Sequence, residues 1–223
     1  MTEEGKLEDG EKGAVLQRDK ETYAIAPHLP CGVVTPDQLR RLADAADKYE
    51  AGAVKVTSAA RIALVGLRQA DIDAVWKDLD IDPGHAVGMC VRSVKACPGT
   101  AFCRLGKQDS LSMGMKLDQL YHGMELPSKT KIGVSGCSNQ CAENCIKDIG
   151  LYGKKNGWVL TAGGKGTSKP RLADTLAEDL DDETALRLIE KIVAYYKKNA
   201  KKLERIGKMI DRTGLEAFKQ AVL

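Results

Sequence analysis

Cys97-Pro98-Gly99-Thr100-Ala101-Phe102-Cys103 and, after thirty-three intervening residues, Cys137-Ser138-Asn139-Gln140-Cys141 are the stretches on which this chain turns. They hold four of its seven cysteines. An odd thiol count, and a polar N-terminus without an apolar signal core, argue against a secreted disulfide framework. Spacing then separates the ligand roles. Structural zinc usually takes cysteines two to four residues apart, often with histidine. Here the first pair encloses five residues, and His28, His85 and His122 lie outside both pairs. Four thiolates from two loops suit a cubane 4Fe–4S cluster, in which each iron takes one protein sulfur. Zinc, and cysteines with no ligand role, stand as the alternatives. Pro98 and Gly99 directly after Cys97 allow a turn that aims backbone N–H groups at sulfur. Gly133 and Gly136 let the backbone before Cys137 pass close to a bulky group.

Upstream, Thr35-Pro36-Asp37-Gln38 is a helix start: a Thr N-cap, Pro at the first helical position and Gln completing a capping box. Leu39, Leu42, Ala43, Ala46 and Tyr49 follow at helical spacing. Strands are expected at Leu29 to Val34, at Val54-Lys55-Val56 and at Ile62-Ala63-Leu64, and a second helix on Ile72, Val75, Trp76 and Leu79. Asp82-Pro83-Gly84 marks a break. Downstream, strands are expected at 131–134 and 158–161, a helix from Asp109 to Tyr121 despite Gly114, and helices from Asp181 onward, interrupted near Gly207 and Gly214. The expected organisation is a flexible arm at 1–22, an α/β unit at 23–82, and a cysteine-bearing domain with C-terminal helices at 83–223. The fold class is α+β.

With 34 basic and 31 acidic residues the net charge of +3 is too balanced to point to nucleic acid. No apolar run approaches the ~20 residues that span a bilayer, so the expectation is a cytoplasmic protein without a membrane partner. Gly163-Gly164-Lys165-Gly166 lacks the glycine spacing and Lys-Ser/Thr ending of a phosphate loop, and no flavin or nicotinamide motif is present.

The run Val91-Arg92-Ser93-Val94-Lys95-Ala96-Cys97-Pro98-Gly99, then Cys103, then Gly136-Cys137-Ser138-Asn139-Gln140-Cys141, resembles the sirohaem-dependent nitrite and sulfite reductase family. Asp148-Ile149-Gly150-Leu151 and Gly163-Gly164 fit it too, and Leu29-Pro30-Cys31-Gly32 through Val56-Thr57-Ser58 to Gly66 is similar to the family's ferredoxin-like module. The resemblance covers roughly residues 25 to 220, and it makes 23–82 a ferredoxin-like half-domain and 83–223 the 4Fe–4S and sirohaem domain. It implies a 4Fe–4S cluster on Cys97, Cys103, Cys137 and Cys141, with the Cys141 thiolate bridging to sirohaem iron. It also implies six-electron reduction of sulfite to sulfide, nearest to the low-molecular-weight assimilatory type. Nitrite reduction to ammonia and a non-catalytic 4Fe–4S carrier are the alternatives.

The family reads its oxyanion with one arginine and two alternating lysines, which resemblance places at Arg92, Lys129 and Lys131. If Lys129 and Lys131 lie in a strand they share a face and converge on one ligand; two solvated lysines at an exposed strand start are the competing reading. Larger members carry Thr-Thr/Ser-Arg-Gln where this chain has Thr57-Ser58-Ala59-Ala60, so the expected arginine is missing at Ala59. Arg61, two residues on, is a candidate replacement if the segment is extended. Thr57, Arg61, Arg92 and Asn139 are the candidate sirohaem contacts beside Cys141. Cys145, Cys31 and Cys90 are expected to be small buried residues, and His122 a surface or capping residue. Larger members hold two repeats, with cluster cysteines and basic residues drawn from different ones. A single repeat carrying both suggests a homodimer, with Lys129 and Lys131 of one copy lining the site of the other; a monomer with a more open pocket is the alternative. A ferredoxin-like protein is the expected electron donor.

Overall fold

In the computed structural model, which describes residues 5–223, the chain divides into two units, one ending at Gly88 and one running from Met89 to Leu223. The first contains β1 (Ala14–Leu16), β2 (Tyr23–Ile25), α1 (Pro36–Lys48), β3 (Ala53–Val56), β4 (Ile62–Leu67) and α2 (Ile72–Leu79). Its sheet is antiparallel in the order β1-β2-β4-β3. Thr35 Oγ1 accepts from the Gln38 N–H at 3.1 Å and Gln38 Oε1 from the Thr35 N–H at 2.9 Å, so the capping box forms. Such a cap contributes ~1 kcal/mol. Leu42 and Ala45 of α1, and Ile72, Val75 and Leu79 of α2, pack with Tyr23, Ile25, Leu64 and Leu67 of the sheet into one buried core. Each large side chain buried there stabilises by about 1.5–3 kcal/mol.

Several expectations change. Residues 5–22 are no flexible arm: Ala14 is fully buried, Leu7 joins the core, and β1 pairs with β2. The remainder of the expected arm, residues 1–4, lies outside the described residues. Leu29 to Val34 forms a 3-10 turn at Pro30–Gly32, with Cys31 at φ 52°, where a strand was expected. Leu39 is 45% exposed although it fits the apolar spacing. The break at Asp82-Pro83-Gly84 stays within the first unit, because His28 N–H donates to Asp82 O and Gly84 N–H to Ala26 O.

The second unit is built on a five-stranded sheet in sequence order: β5 (Val91–Ala96), β6 (Thr130–Ser135), β7 (Ile149–Lys154), β8 (Gly157–Ala162) and β9 (Asp174–Leu180). β5, β6 and β7 run parallel; β7–β8 and β8–β9 are antiparallel. Register sorts the strands into two faces. Val94, Ile132, Ile149 and Ala162 are aligned, as are Ala96, Val134, Leu151 and Leu160. Of the helices, α4 (Ser110–Tyr121) packs on β5 and β6, and α5 (Asp182–Asn199) on β8. The intervening rows are small or polar: Lys95, Gly133, Gly150 and Thr161 align, with Ser135 two residues beyond Gly133 on the same face. A one-turn helix α3 (Gly99–Phe102) precedes α4, and α6 (Ile206–Thr213) and α7 (Leu215–Val222) close the chain. The break expected near Gly207 falls earlier, at residues 200–205, and Gly207 lies inside α6.

Among the described residues no helix is long and apolar enough to cross a membrane.

Candidate functional site

Ala96 pairs with Val134, so Cys97 and Cys137 leave the C-terminal ends of two adjacent parallel strands. In α/β sheets that edge is where ligands collect. After Cys97 the chain turns through Pro98 and Gly99 (φ +56°) into α3, and Cys103 ends that turn with its N–H on Gly99 O at 2.8 Å. A Cβ at Gly136 would stand 2.6 Å from Gly99 Cα, so the two glycines bring the two cysteine segments into direct contact. The Lys107 and Gln108 N–H groups both donate to Gly136 O, at 2.7 and 3.1 Å, which locks the segment after Cys103 onto the residue before Cys137. Gly136 N–H points at Cys97 Sγ, 3.1 Å away, and Ser110 Oγ lies 3.2 Å from the same sulfur. Hydrogen bonds to sulfur of this kind tune the potential of thiolate-bound clusters.

The second cysteine loop lies flat on the polar rows of the sheet. Asn144, fully buried, donates to Gly133 O and Leu151 O at 2.6 Å each. Its Oδ1 accepts from the Ser135 hydroxyl, whose oxygen accepts in turn from the Ala142 N–H at 3.0 Å. A Cβ at Gly133 would stand 2.9 Å from Ala142 O and 2.8 Å from Lys147 Cγ. The group that needs the room at Gly133 is therefore the chain's own loop. Cys97, Cys103 and Cys137 are half-buried; Cys141 and Cys145 are exposed. Residues 144–146 form a single 3-10 turn after Glu143 (φ 60°), so Cys145 is neither buried nor on an α-helix with Cys141. Cys31 and Cys90 are buried, as expected, and His122 caps the end of α4.

The donor set fits a multi-iron cluster. Four thiols sit on two interlocked loops, a backbone N–H already faces one sulfur, and Gln140 Oε1 is buried between Cys137 and Cys141 with no hydrogen-bond partner among the described residues.

At the opposite end of β6 the side chains are cationic. Lys129 precedes the strand and Lys131 is its second residue, both half-buried. On β5, Val91 pairs with Thr130 and Ser93 with Lys131, so Arg92 is an extra residue in the ladder. Such a bulge re-aims its side chain and is common beside active sites. Asp148, fully buried, accepts from Lys131 N–H at 2.8 Å and takes Arg205 in a two-pronged bond, Nε at 2.8 Å and Nη2 at 2.5 Å. Burial pushes the Asp148 carboxyl up, against the pull of Arg205 and the Lys131 amide. Burial also pushes the Lys131 ammonium below its ordinary value, and Lys147, Arg205 and Lys129 push it further, with Asp148 opposing. The Lys147 side chain is only 9% exposed and pairs with Glu143 at 2.8 Å; Lys95 reaches the other Glu143 oxygen at 3.2 Å. Arg205 is held in place by its neighbours: Leu203 N–H donates to Pro127 O, Tyr196 Oη–H to Glu204 O, and Arg212 forks onto Glu204.

Of the remaining candidates, Asn139 is exposed in the turn after Cys137. Thr57 and Arg61 belong to the first unit, at the β3–β4 turn, where Thr57 N–H donates to Arg61 O at 2.8 Å and Ala60 has φ 58°. That segment is a tight turn, so placing Ala59 and Arg61 on one strand face does not hold. Arg61 is 5% exposed, with Gly84 close against its Nε and Cδ. Sequence reasoning assigned no part to Asn144, Lys147 or Arg205, and used Asp148 only as a point of resemblance. A Lys147-Asp148 pair directly before the apolar Ile149 was the one local hint of a buried charge.

Two family models match the chain: the nitrite and sulphite reductase 4Fe–4S domain over residues 87–223, and the nitrite/sulfite reductase ferredoxin-like half domain over residues 15–80. The chain is 46% identical over 217 residues to an assimilatory-type sulfite reductase of Nitratidesulfovibrio vulgaris, covering 97% of this chain and 100% of that one. It is 40% identical to a nitrite reductase [NAD(P)H] of Bacillus subtilis over 91% of its own length but only 25% of that protein. Among solved structures, dissimilatory sulfite reductase I superposes with a TM-score of 0.81 at 15% identity, covering 90% of this chain and 69% of that one. The NirA protein of Mycobacterium tuberculosis gives 0.80 at 16%, covering 98% and 43%. At such identities these two show a common α+β fold. By both of its units, and by a match running the full length of one relative, the chain belongs to the nitrite and sulphite reductases, an oxidoreductase family carrying a 4Fe–4S domain.

Proposed function

We propose that this chain reduces sulfite to sulfide with six electrons in the cytoplasm, as an assimilatory-type sulfite reductase. In this reading Cys97, Cys103, Cys137 and Cys141 would hold a 4Fe–4S cluster, and Cys141, the one exposed member of the four, would also serve the sirohaem. The observation that carries it is the coexistence in one unit of two interlocked thiol loops and a crowd of cations around Lys131. A bare electron carrier has no use for an anion pocket. When bound, the cluster and sirohaem supply the electrons and the iron at which the oxyanion is reduced. Arg92, Lys129 and Lys131 bind the oxyanion through fixed positive charge. The lowered Lys131 ammonium is also a readier proton donor as S–O bonds break. Thr57, Arg61, Arg92 and Asn139 are proposed contacts to the carboxylates of the tetrapyrrole. Nitrite reduction to ammonia at the same centre is the second reading, favoured by the likeness to the Bacillus subtilis nitrite reductase.

The β6 geometry supports a dimer. Lys131 and Cys137 stand at opposite ends of that strand, ~20 Å apart at about 3.3 Å per residue. An oxyanion held by these lysines would lie well away from the same copy's thiolates. Two copies about a twofold axis, each lending Lys129 and Lys131 to the other's centre, resolve this. The electron donor is a small ferredoxin-like protein.

The test begins with the absorption spectrum of protein made in a host that supplies both groups, followed by viologen-driven turnover on sulfite and nitrite. Haem and cluster bands with faster sulfite turnover are expected, and Cys141→Ser should lose coupling and activity together. Cluster absorbance alone, or an active Cys141→Ser protein with an unchanged spectrum, refutes the shared-sulfur centre. Sedimentation as a fully active monomer refutes the dimer.

A further inference from the structure

We propose that an acidic one-electron carrier docks on the loop that joins Cys97 to Lys107, seated on Phe102 and Leu105 within a ring formed by Arg104, Lys107 and Lys155. This inference rests on the reductase reading above and deepens it by naming the donor's landing surface. Phe102 is 83% exposed, the most exposed large apolar side chain among the described residues, and Leu105 is 50% exposed. Both flank Cys103. An aromatic ring left in water on a mobile loop would mean little, but this loop is braced. Gly106 N–H bonds Cys103 O at 3.0 Å, and the next two N–H groups bond Gly136 O. The fold therefore holds an apolar pair outward at fixed position, as interface anchors are held.

The surrounding charge is of one sign. Gln108 Nε2–H donates to Lys154 O at 2.9 Å, which ties the tip of the β7–β8 hairpin, with exposed Lys155, to the segment that carries Arg104 and Lys107. None of these three cations has an ion-pair partner among the described residues. The nearby acids are committed elsewhere: Asp109 caps α4 through Ser112, and Glu178 pairs with Lys154 at 2.6 Å. An apolar centre ringed by free cations is complementary to an acidic partner with a small apolar contact. A second copy meeting this patch about a twofold axis would set cations against cations, which disfavours self-association there. Position supplies the rest of the argument. A carrier seated here touches both neighbours of Cys103, so an electron leaves the reduced carrier next to a ligand sulfur. The carrier is oxidised by one electron per encounter and no bond is made or broken.

The test uses the cofactor-loaded protein, an acidic plant-type ferredoxin reduced chemically as donor, and reduced methyl viologen in parallel. Combining Arg104→Glu, Lys107→Glu and Lys155→Glu should lower ferredoxin-supported kcat/KM at least about tenfold at low salt. Calorimetric binding of oxidised ferredoxin should weaken by a similar factor. Viologen turnover should stay within about twofold, with an unchanged visible spectrum. Phe102→Ala should weaken the same binding with little change in its salt dependence. Ferredoxin binding and turnover untouched by the charge reversals overturn the proposal. A viologen rate that falls in step, or a changed sedimentation coefficient, also overturns it, by giving the patch to the cofactor site or to a second copy. An unaltered protein that turns over neither oxyanion with viologen sinks the reductase reading instead, and the ferredoxin titration still decides the surface.

Discussion

Replacing Asp148 by Asn keeps the shape of the side chain and removes one charge from a fully buried site. The carboxylate takes three N–H donors, two from Arg205 at 2.8 and 2.5 Å and one from the Lys131 backbone at 2.8 Å. Asparagine offers one acceptor oxygen and turns an NH2 group toward donors. The Arg205 side chain, 12% exposed, is left without its counter-charge. Breaking a buried pair from one side costs ~3–5 kcal/mol, and the partial exposure of Arg205 places the expectation at the lower end, ~3 kcal/mol. For a chain of this size each kcal/mol lowers the melting midpoint by about 2–4 °C, so a fall of about 6–12 °C is expected. Far-UV circular dichroism at pH 7 measures it. Adding Arg205→Met should return part of the loss, because an apolar replacement removes the orphaned charge. The Asp148 charge also opposes the forces that depress Lys131. Its removal lowers the Lys131 pKa further, and the alkaline limb of oxyanion turnover should move to lower pH. A midpoint unchanged within 2 °C would refute the reasoning. It would mean that burial keeps the carboxyl protonated, making Asn a near-neutral exchange.

Lys129→Ala with Lys131→Ala should lower oxyanion turnover by about a hundredfold or more while both cofactors stay bound; viologen-driven rates with the visible spectrum decide, and undiminished turnover would return these lysines to the surface. Gly133→Ala drives a Cβ into Ala142 O and Lys147 Cγ, which should cost ~1–3 kcal/mol and speed cluster loss to a chelator. Gly52→Ala, where the nearest atom is 3.6 Å away, should leave cluster retention unchanged. Arg212 holds the Glu204 carboxyl down at about 2, against an ordinary 4.5. The stability this adds is full above the unfolded value and is lost as pH falls from about 4.5 toward 2. Glu204→Gln should flatten that part of the acid-unfolding profile.

The helices were legible where local chemistry governs them. Thr35 and Gln38 announce α1, and Asp109 with Met113, Leu117 and Tyr121 gives α4 even though Gly114 is buried within it. The strands were legible where period two survives, or where a short apolar run such as Trp158-Val159-Leu160 stands out. In β5 the extra residue Arg92 sets Val91 and Val94 three apart and hides the alternation. In β7, Gly150 and Gly153 read as loop residues, yet each is needed because a Cβ would collide with Thr161 Oγ1 or Gly136 O. β9 is an acidic edge strand with little apolar signal, and β1 and β2 are only three residues long. At the site, the thiols could be chosen by spacing and the basic residues by resemblance. The buried clamps, Asn144 on the cysteine loop and Arg205 on Asp148, could not. Their partners lie on other segments, and a polar residue at a contact of long sequence separation carries no local mark of its burial.

The placement of lysines and cysteines at opposite ends of β6 makes the two sites separable by genetics. One chain with Lys129→Ala and Lys131→Ala keeps its thiols; another with Cys141→Ser keeps its lysines. In the proposed dimer each should be inert as a pure preparation. Co-expressed in equal amounts and paired at random, half the assemblies are mixed, and each of these unites the sound thiols of one chain with the sound lysines of the other. About a quarter of normal turnover should return from two dead parents, a rescue that centres confined to single chains cannot produce.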